Sequence, residues 1–291
     1  MKRSTVEALV AVGLPPLDVE LIVRRALEED LGPGGLDVTS IATIPEDQEG
    51  TAELVARADG VVAGLPVAAA VFELADPRTR CEALVPDGAR VARDDVLATV
   101  AGPARALLTA ERTALNLLCR MSGVATHTRY WADALAGSKA QVLDTRKTTP
   151  GLRVLEKYAV RAGGGTNKRM GLYDVAMIKD NHKLAAGGLT AAYQRVREAF
   201  PDVPVQVEVT TVAEAVESVE AGATFLLCDN MTPAVLREVV AAVGDRAELE
   251  ATGGLTLDAA AEYAATGVDY LSVGALTHSS PIVDIAMDLR E

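Results

Sequence analysis

The sequence predicts an α/β protein in which a compact α+β region precedes a parallel sheet or a (β/α) barrel. From about residue 140, short apolar strand-like runs alternate with helical patterns roughly every 20 to 35 residues, which is typical of consecutive βαβ units. The 291 residues are 49% hydrophobic, enough for a sizeable buried core. Aromatic residues make up only 3%, a composition that favours short buried strands and Ala-rich helices over an all-β fold.

The first hundred residues predict both helices and strands. Residues 16–31 show the helical spacing of apolar side chains, with Asp18 as the expected N-cap and Gly32 ending the segment. The segments that follow are predicted to be a strand at 51–58, a turn-rich connector at 60–66, a helix at 67–74 and two short strand-like runs within 80–100.

A long helical pattern over residues 104–135 separates this region from the alternating one, with a break expected at Ser122-Gly123. The candidate strands after it are residues 140–144, 175–178, 205–209, 225–228, 248–251 and 270–273. The helical stretches are residues 152–162, 190–199, 212–221, 233–242 and 257–264. The pattern therefore predicts six strands rather than the eight of a complete barrel.

The distribution of charge indicates a small anionic ligand. The net charge of -13 argues against a general nucleic-acid surface, which would need a basic face. Between Lys139 and Lys183, however, ten Lys or Arg residues stand against four Asp or Glu residues. An acidic protein with one cationic segment suits an anionic substrate, although a solvated basic helix would give the same count.

The amino-terminal residues and the cysteines predict a cytoplasmic protein. After Lys2 and Arg3 the apolar stretch is short and is interrupted by Glu7, and no run reaches the roughly 18 apolar residues that span a bilayer. We therefore expect neither a signal peptide nor a membrane anchor. The three cysteines are far apart and odd in number, which indicates a reducing compartment rather than a disulfide framework.

Polar or glycine residues follow each of the six predicted strands. In parallel α/β folds the carboxyl ends of the strands form the binding edge, so these residues are expected to lie together. One such residue would mean little, because loop starts are polar anyway. The six sets, in chain order, are Thr145-Arg146-Lys147, Lys179-Asp180-Asn181, Glu208, Asp229-Asn230, Thr252-Gly253-Gly254 and Gly274-Ala275. They offer cations for anionic groups, carboxylates for hydroxyls or a divalent ion, and bare backbone for phosphate.

Two glycine-rich segments are candidate anion sites. Gly253-Gly254 precedes a helix and Gly274 follows the next strand, where barrels often bind phosphate. The run at residues 163–165 follows a helix and could simply end it. The adjacent cations Lys168 and Arg169 favour an anion-binding loop there.

Several of these segments together resemble the quinolinate phosphoribosyltransferase family over nearly the whole chain. The most specific block runs from Arg146 to His182 and includes Asp144-Thr145-Arg146-Lys147-Thr148-Thr149-Pro150-Gly151, Lys157-Tyr158-Ala159-Val160-Arg161, Gly163-Gly164-Gly165 and Ile178-Lys179-Asp180-Asn181-His182. The remaining matches are Glu111-Arg112-Thr113-Ala114-Leu115-Asn116, Glu208-Val209, Asp229-Asn230-Met231 and residues 272–279.

The resemblance implies a type II phosphoribosyltransferase with an amino-terminal α/β sandwich and an incomplete, seven-stranded α/β barrel. The sandwich would comprise residues 1–114 with the returning tail 282–291, and the barrel residues 115–281. It also implies a homodimer or a higher oligomer, in which the sandwich of one subunit caps the barrel of its partner.

The resemblance further implies a role for each matched residue. Arg112 is expected to enter the partner's quinolinate pocket, and Arg146 and Arg169 to clamp the two pyridine carboxylates. The other implied substrate-binding residues are Thr145, Lys147, Lys168, Lys179, Glu208, Asp229, Thr252, Gly253, Gly254, Val273, Gly274 and Ala275. Of these, Lys147, Glu208 and Asp229 are the implied catalytic residues, and Glu208 and Asp229 would hold the ribose hydroxyls and Mg²⁺.

At position 168 the chain departs from the family, which usually has His there. Lysine keeps a positive charge but donates a proton less readily than imidazole near neutral pH, which weakens any acid-base role for this position.

The implied activity is transfer of a phosphoribosyl group from phosphoribosyl pyrophosphate to quinolinate with loss of CO2, a step of NAD biosynthesis that gives nicotinate mononucleotide. A sister enzyme that uses nicotinate, or a molybdenum-locus homologue of another substrate, is the nearest alternative. Three arginines with two lysines exceed what a monoacid needs, which favours quinolinate. A non-catalytic phosphate-binding barrel is a further alternative, disfavoured by the acidic pair Glu208 and Asp229.

Overall fold

The computed structural model describes residues 1–290 and divides into two compact units. Unit 1 contains Met1–Arg129, Thr148–Gly164 and the residues from Thr277 onward, and unit 2 contains Tyr130–Lys147 and Gly165–Leu276. This division differs from the predicted one at residues 114/115 and 281/282. The long helix is continuous past residue 114, and the helix that follows residue 152 belongs to unit 1.

Unit 1 combines helices with a four-stranded antiparallel sheet. Its helices are α1 (Arg3–Ala11), α2 (Pro16–Leu31), α3 (Val38–Thr43), α4 (Leu65–Ala75), α5 (Ala104–Ala134, which enters unit 2) and α6 (Arg153–Ala162). Its strands are β1 (Glu49–Ala56), β2 (Gly60–Val61), β3 (Arg80–Ala83), β4 (Arg90–Val91), β5 (Val96–Pro103) and β12 (Ile285–Arg290). The sheet order is β12-β1-β5-β3, so the carboxyl-terminal tail pairs with β1, while β2 and β4 form a separate pair.

Two local predictions for unit 1 are wrong for identifiable reasons. Helix α5 runs through Ser122-Gly123 without a break. Gly123 is instead needed for close packing, since a Cβ there would lie 2.0 Å from the carbonyl oxygen of Pro281. Helix α2 begins where expected, but Pro15 is its N-cap and Pro16 its first residue. Asp18 lies within the first turn, where its negative charge interacts favourably with the helix dipole.

Unit 2 is built on a six-stranded parallel sheet, which confirms the six strands predicted from the pattern. The strands are β6 (Gln141–Leu143), β7 (Ala176–Ile178), β8 (Val205–Val209), β9 (Phe225–Asp229), β10 (Glu248–Thr252) and β11 (Tyr270–Ser272). The helices are α7 (Asp180–Ala186), α8 (Leu189–Ala199), α9 (Val212–Glu220), α10 (Pro233–Val243), α11 (Ala260–Ala264), preceded by a 3-10 turn at Leu257–Ala259, and α12 (Ala275–His278), which leaves the unit.

The strand order in unit 2 is β6-β11-β10-β9-β8-β7. A seventh strand, implied by the family resemblance, is reduced to a single parallel bridge between Thr166 and Leu143 of β6. The chain around Thr166 is therefore held at the edge of the sheet beside β6.

The two faces of this sheet differ in polarity. Because side chains alternate along a strand, Val207 and Val209 of β8 lie on one face and Gln206 and Glu208 on the other. The apolar face is fully buried, and helices α8 and α9 contact β8. The opposite face carries polar side chains toward the carboxyl ends of the strands. Within residues 1–290 no helix has both the length and the apolar character to cross a bilayer.

Candidate active site

The predicted site residues of unit 2 lie at the carboxyl edge of its parallel sheet. In strand order across the sheet, this edge carries Thr145-Arg146-Lys147 after β6, Val273-Gly274-Ala275 after β11, Thr252-Gly253-Gly254 from β10, Asp229 from β9, Glu208 from β8 and Lys179 after β7. The structure therefore brings together segments that are separated by more than a hundred residues in the chain. A cavity of about 760 Å³ lies at the opposite edge, between Val205, Phe225 and Glu248, and none of these site residues lines it.

The acidic pair lies on neighbouring strands and on the same face. Glu208 is level with Leu227 of β9, and Asp229 stands two residues beyond Leu227, one step nearer the carboxyl edge. Glu208 is 9% exposed, and its Oε2 accepts a hydrogen bond from Nζ of Lys179 at 2.7 Å. The side-chain amide of Asn230 donates to Asp229 at 2.9 Å. Both carboxylates are thus oriented by the protein and lie at the carboxyl edge of the sheet, which we term the rim.

The residues Thr252–Gly254, which we term the phosphate loop, pack tightly against the neighbouring loop. The backbone N–H of Asn230 donates to the carbonyl of Thr252 at 2.9 Å. A Cβ on Gly253 would lie 2.2 Å from Oδ1 of Asn230, and Gly253 has a φ of +102°, so only glycine fits. Gly254 has a φ of +59° and open space where a Cβ would be. Backbone that is bare on its outer side allows close approach of phosphate oxygens.

A buried aspartate organises the cationic loops beside β6. Asp144 is fully buried, and its two carboxylate oxygens accept hydrogen bonds from the Asn167 side chain at 2.6 Å and from the Lys168 backbone N–H at 2.8 Å. The hydroxyl of Thr145 accepts a hydrogen bond from the backbone N–H of Lys147 at 3.0 Å. These bonds fix the two chain segments that carry the predicted carboxylate-binding arginines.

Those two arginines interact electrostatically. Burial lowers the pKa of the Arg169 guanidinium, and the nearby positive charge of Arg146 lowers it further. Arg169 donates to the carbonyl of Val175 at 2.8 Å and contacts the sulfur of Met177 at 3.5 Å, so its position is defined. Two neighbouring positive charges suit a ligand that carries two negative charges.

Lys168, predicted from the sequence to bind substrate, forms a buried ion pair with Glu250. Its Nζ lies 2.5 Å from Oε1 of Glu250, and its side chain is only 9% exposed. The amide of Gln206 donates to the other oxygen of Glu250 at 2.6 Å. Burial lowers the pKa of Lys168, an effect that Glu250 opposes and that the charges of Arg169 and Lys179 reinforce.

Sequence reasoning did not select Asp144, Gln206 or Glu250 as site residues. The available signal was alternation: Gln206 and Glu250 stand two residues before Glu208 and Thr252 and therefore share their face of the sheet. A charged residue inside a short buried strand is unusual enough to predict a polar interior.

Lys183 and His182, next to Lys179, support helix α7. The His182 ring accepts a hydrogen bond from the backbone N–H of Lys179 at 3.0 Å. The Lys183 ammonium donates to the Glu208 carbonyl at 3.0 Å and to Glu214 at 2.8 Å. These contacts occupy both side chains with the protein itself.

Two further predicted features lie in unit 1. Arg112 is on α5 and is exposed on the surface of that unit. Gly163 and Gly164 end α6, and a Cβ on Gly163 would lie 2.4 Å from the carbonyl oxygen of Ala125, so this glycine serves helix packing. Of the two cations in the following loop, Lys168 is paired with Glu250 and Arg169 donates to the carbonyl of Val175.

The donor set at the rim fits one divalent cation bound together with substrate. Among residues 1–290 there is no group of three or more His, Cys, Asp or Glu side chains able to hold a metal ion. Mg²⁺ commonly binds through one or two carboxylates and completes its shell with water and phosphate oxygens. Glu208 and Asp229 are suited to that mode and not to a closed protein cage.

Models of one protein family match both parts of the chain. The quinolinate phosphoribosyl transferase N-terminal domain matches residues 37–122, and the C-terminal domain matches residues 124–288. Together they cover most of the chain and place the join within α5.

Relatives and solved structures agree with these matches. The chain is 48% identical over 272 residues to a nicotinate-nucleotide pyrophosphorylase (carboxylating) of Mycobacterium leprae, covering 92% of this chain and 95% of the relative. It is 41% identical to a probable enzyme of the same name from Bacillus subtilis, covering 94% of each. The structure of nicotinate-nucleotide pyrophosphorylase from Francisella tularensis superposes with a TM-score of 0.91 at 34% identity, covering 95% of this chain and 98% of that one.

Proposed function

The chain belongs to the quinolinate phosphoribosyltransferase family, and from that premise we propose how its residues carry out the reaction of the family. The chain transfers the phosphoribosyl group of phosphoribosyl pyrophosphate to quinolinate with decarboxylation, giving nicotinate mononucleotide, CO2 and pyrophosphate. The observation that carries the proposed mechanism is the carboxyl edge of unit 2. There the strands carry Glu208 and Asp229, and the connecting segments contain Arg146 and the phosphate loop Thr252–Gly254. Arg169 contacts Val175 and Met177 at β7.

The first step forms the glycosidic bond. The pyridine nitrogen of quinolinate attacks C1 of the ribose as the bond to pyrophosphate breaks, through a state with oxocarbenium character. Glu208 and Asp229 accept hydrogen bonds from the ribose hydroxyls, and Lys147 and Lys179 stabilise the negative charge on the departing pyrophosphate. Arg146 and Arg169 hold the two carboxylates so that the ring nitrogen faces C1, which supplies proximity and orientation.

The second step releases CO2. After the ring nitrogen becomes quaternary, the bond from ring carbon 2 to its carboxylate breaks, CO2 leaves and the electron pair stays on that carbon. The carbon then takes a proton from water. The positive nitrogen stabilises this carbanion, so the protein need not provide a covalent nucleophile. Its contribution is a partly desolvated site that fixes the geometry.

Magnesium fits this site as a substrate-associated ion. Glu208 and Asp229 would hold it, directly or through water, and the phosphate loop Thr252–Gly254 together with Val273, Gly274 and Ala275 would bind the 5′-phosphate. When bound, Mg²⁺ neutralises part of the diphosphate charge.

A homodimer would complete the site by supplying Arg112 from the partner subunit. Arg112 is exposed on unit 1 of a single chain, as a residue donated to a partner would be. The same unit exposes apolar side chains on two helices: Leu17 and Leu21 of α2 are 68% and 59% exposed, and Val38 of α3 is 71% exposed. Exposed apolar surface of this kind favours burial against a second copy.

Subunit mixing tests the shared site. Arg112→Ala and Arg169→Ala chains, each with a different affinity tag, are co-expressed and the mixed dimer is purified. Each homodimer should be nearly inactive, whereas the mixed dimer retains one intact site of two and should recover about half the wild-type activity. The control is the mixed dimer of Arg146→Ala and Arg169→Ala, in which both sites are damaged. Equal activity of the two mixed dimers would contradict a shared site.

The substrate is tested by coupled detection of pyrophosphate and CO2 with phosphoribosyl pyrophosphate and Mg²⁺, comparing quinolinate with nicotinate. We expect both products with quinolinate, no turnover with nicotinate, and loss of activity with a chelator. Turnover of nicotinate alone would support the sister reaction, and turnover of neither acid would support a phosphate-binding protein without catalysis.

The net charge and the cysteines support a choice of binding partners and of cellular compartment. The net charge of -13 supports small anionic substrates rather than nucleic acid as the partner. All three cysteines are free, and burial raises the pKa of Cys228 to about 12, which keeps the thiol unreactive. These features suit a reducing cytoplasm with no membrane association.

A further inference from the structure

We propose that Lys168 is a positioning residue rather than a substrate ligand, and that a buried network of Lys168, Glu250 and Gln206 holds Arg169 in place to receive a carboxylate of quinolinate. The inference rests on the proposed function, because Arg169 is assigned there as a carboxylate ligand.

All three residues of the network belong to unit 2. Each oxygen of the Glu250 carboxylate has one donor, Nζ of Lys168 at 2.5 Å and Nε2 of Gln206 at 2.6 Å. Glu250 and Gln206 are fully buried, and the Lys168 side chain is 9% exposed. A carboxylate so buried is stable only when it is paired and hydrogen-bonded, so both donors are needed.

Lys168 is held at both ends. Its backbone N–H donates to the buried carboxylate of Asp144 at 2.8 Å, and its ammonium is bound by Glu250. Because the backbone of Lys168 is held, the backbone of the next residue, Arg169, is restrained as well. The guanidinium of Arg169 donates to the carbonyl of Val175. A shift of Lys168 would therefore move Arg169.

The network also joins the segments that form the site. Glu250 stands two residues before Thr252 of the phosphate loop, and Gln206 two residues before Glu208. Both lie one layer beneath the rim on the same face of the sheet. The ion pair thus connects the loop that carries Arg169 with the strands that carry the ribose-binding carboxylate and the phosphate loop.

The pairing with Glu250 keeps the Lys168 ammonium buried, since its side chain is only 9% exposed. Moving that ammonium to a substrate carboxylate at the rim would leave Glu250 buried without its charge partner, which is strongly unfavourable. We therefore assign the binding of the quinolinate carboxylates in this unit to Arg146, Arg169 and Lys147.

A double-mutant cycle distinguishes the two roles. Lys168→Met and Glu250→Gln each leave one buried group without its charge partner. We expect each to raise the KM for quinolinate about tenfold or more, with a smaller rise in the KM for phosphoribosyl pyrophosphate and a lower melting temperature. The double variant Lys168→Met/Glu250→Gln removes both charges and should return near wild-type KM and stability. A purely structural role would lower the melting temperature and leave the KM of the folded enzyme unchanged.

A direct ligand role predicts the opposite for the double variant. Glutamine at 250 supplies no positive charge, so the double variant would keep the full quinolinate defect of Lys168→Met. That result, or a double variant no more stable than the single variants, would overturn the proposal.

Two more variants make the test independent of the folding of the single charge variants. Gln206→Met keeps both charges and removes one donor to Glu250, and we expect a KM for quinolinate raised about threefold. An unchanged KM would contradict the network. The matched control is Lys139→Met, which breaks the exposed ion pair of Lys139 with Asp269 at 2.8 Å and should leave the KM unchanged.

The outcomes also separate this inference from the proposed function. If wild-type enzyme turns over quinolinate but the cycle shows no coupling, the network fails and the function stands. If wild-type enzyme does not turn over quinolinate, the function fails, and the unfolding measurements still report whether Lys168 and Glu250 are coupled.

Discussion

Replacement of Arg146 or Arg169 by alanine is expected to lower kcat/KM for quinolinate by at least a factor of 100. The positive charge of Arg146 lowers the pKa of Arg169, so the two groups interact, and both are proposed to bind the carboxylates of quinolinate. Loss of one partner from a buried charge pair costs about 3–5 kcal/mol, or roughly two to four powers of ten in rate if the loss falls on the transition state. Steady-state kinetics with quinolinate as the varied substrate measures this directly.

Two variants serve as comparisons. Arg169→Lys keeps the charge but loses the planar fork and should fall between wild type and alanine. Arg237→Ala removes an arginine exposed on α10, away from the rim, and should leave the kinetics unchanged. Near-normal kcat/KM for both Arg146→Ala and Arg169→Ala would rule out the carboxylate clamp.

The alternating part of the fold could be predicted from the sequence because each strand is short, apolar and bounded by polar or glycine residues. Strand β8 has the bounds that the pattern predicts, Val205–Val209, and β9 and β10 differ by one residue each at the carboxyl end. Local apolar periodicity carries this information without any knowledge of tertiary contacts.

Features that depend on long-range contacts were less predictable. The local sequence predicts a helix break at Gly123. In the structure, the absence of a side chain at Gly123 allows the backbone of Pro281, in the carboxyl-terminal segment, to pack against the helix. A glycine inside a helix costs about 1 kcal/mol relative to alanine, whereas a glycine just past the helix end is favourable, so the sequence alone favours a break. Only the three-dimensional contact distinguishes these alternatives.

The candidate site shows the same limit. The rim residues could be selected because each follows a strand, but the pairing of Lys168 with Glu250 joins positions 82 residues apart. The sequence alone therefore predicts Lys168 as a substrate-binding cation beside Arg169. Gln206 and Glu250, which lie beneath the rim, hold Lys168 and thereby change its surroundings. Their proximity follows only from the arrangement of β8 and β10 in one sheet.

Replacement of Gly253 by alanine is expected to reduce kcat/KM for phosphoribosyl pyrophosphate by at least a factor of 100. The added Cβ would lie 2.2 Å from Oδ1 and 2.9 Å from the backbone nitrogen of Asn230, and the φ of +102° is itself strained for alanine. The side chain of Asn230 can move, but its backbone cannot move without breaking the N–H bond to the Thr252 carbonyl. The clash is therefore relieved by displacing the phosphate loop next to Asp229, where small errors in geometry have large kinetic costs.

Gly187→Ala is the matched control for backbone strain. Gly187 also has a positive φ, +85°, but no atom lies within 4 Å of the Cβ position. Both alanine variants should lose about 1 kcal/mol or more of stability from the left-handed backbone, and Gly187→Ala should keep wild-type kinetics. A Gly253→Ala enzyme that is destabilised to the same extent and binds phosphoribosyl pyrophosphate normally would show that this glycine serves the backbone turn alone. Loss of substrate binding in Gly253→Ala alone would show that the close approach to Asn230 sets the shape of the phosphate loop.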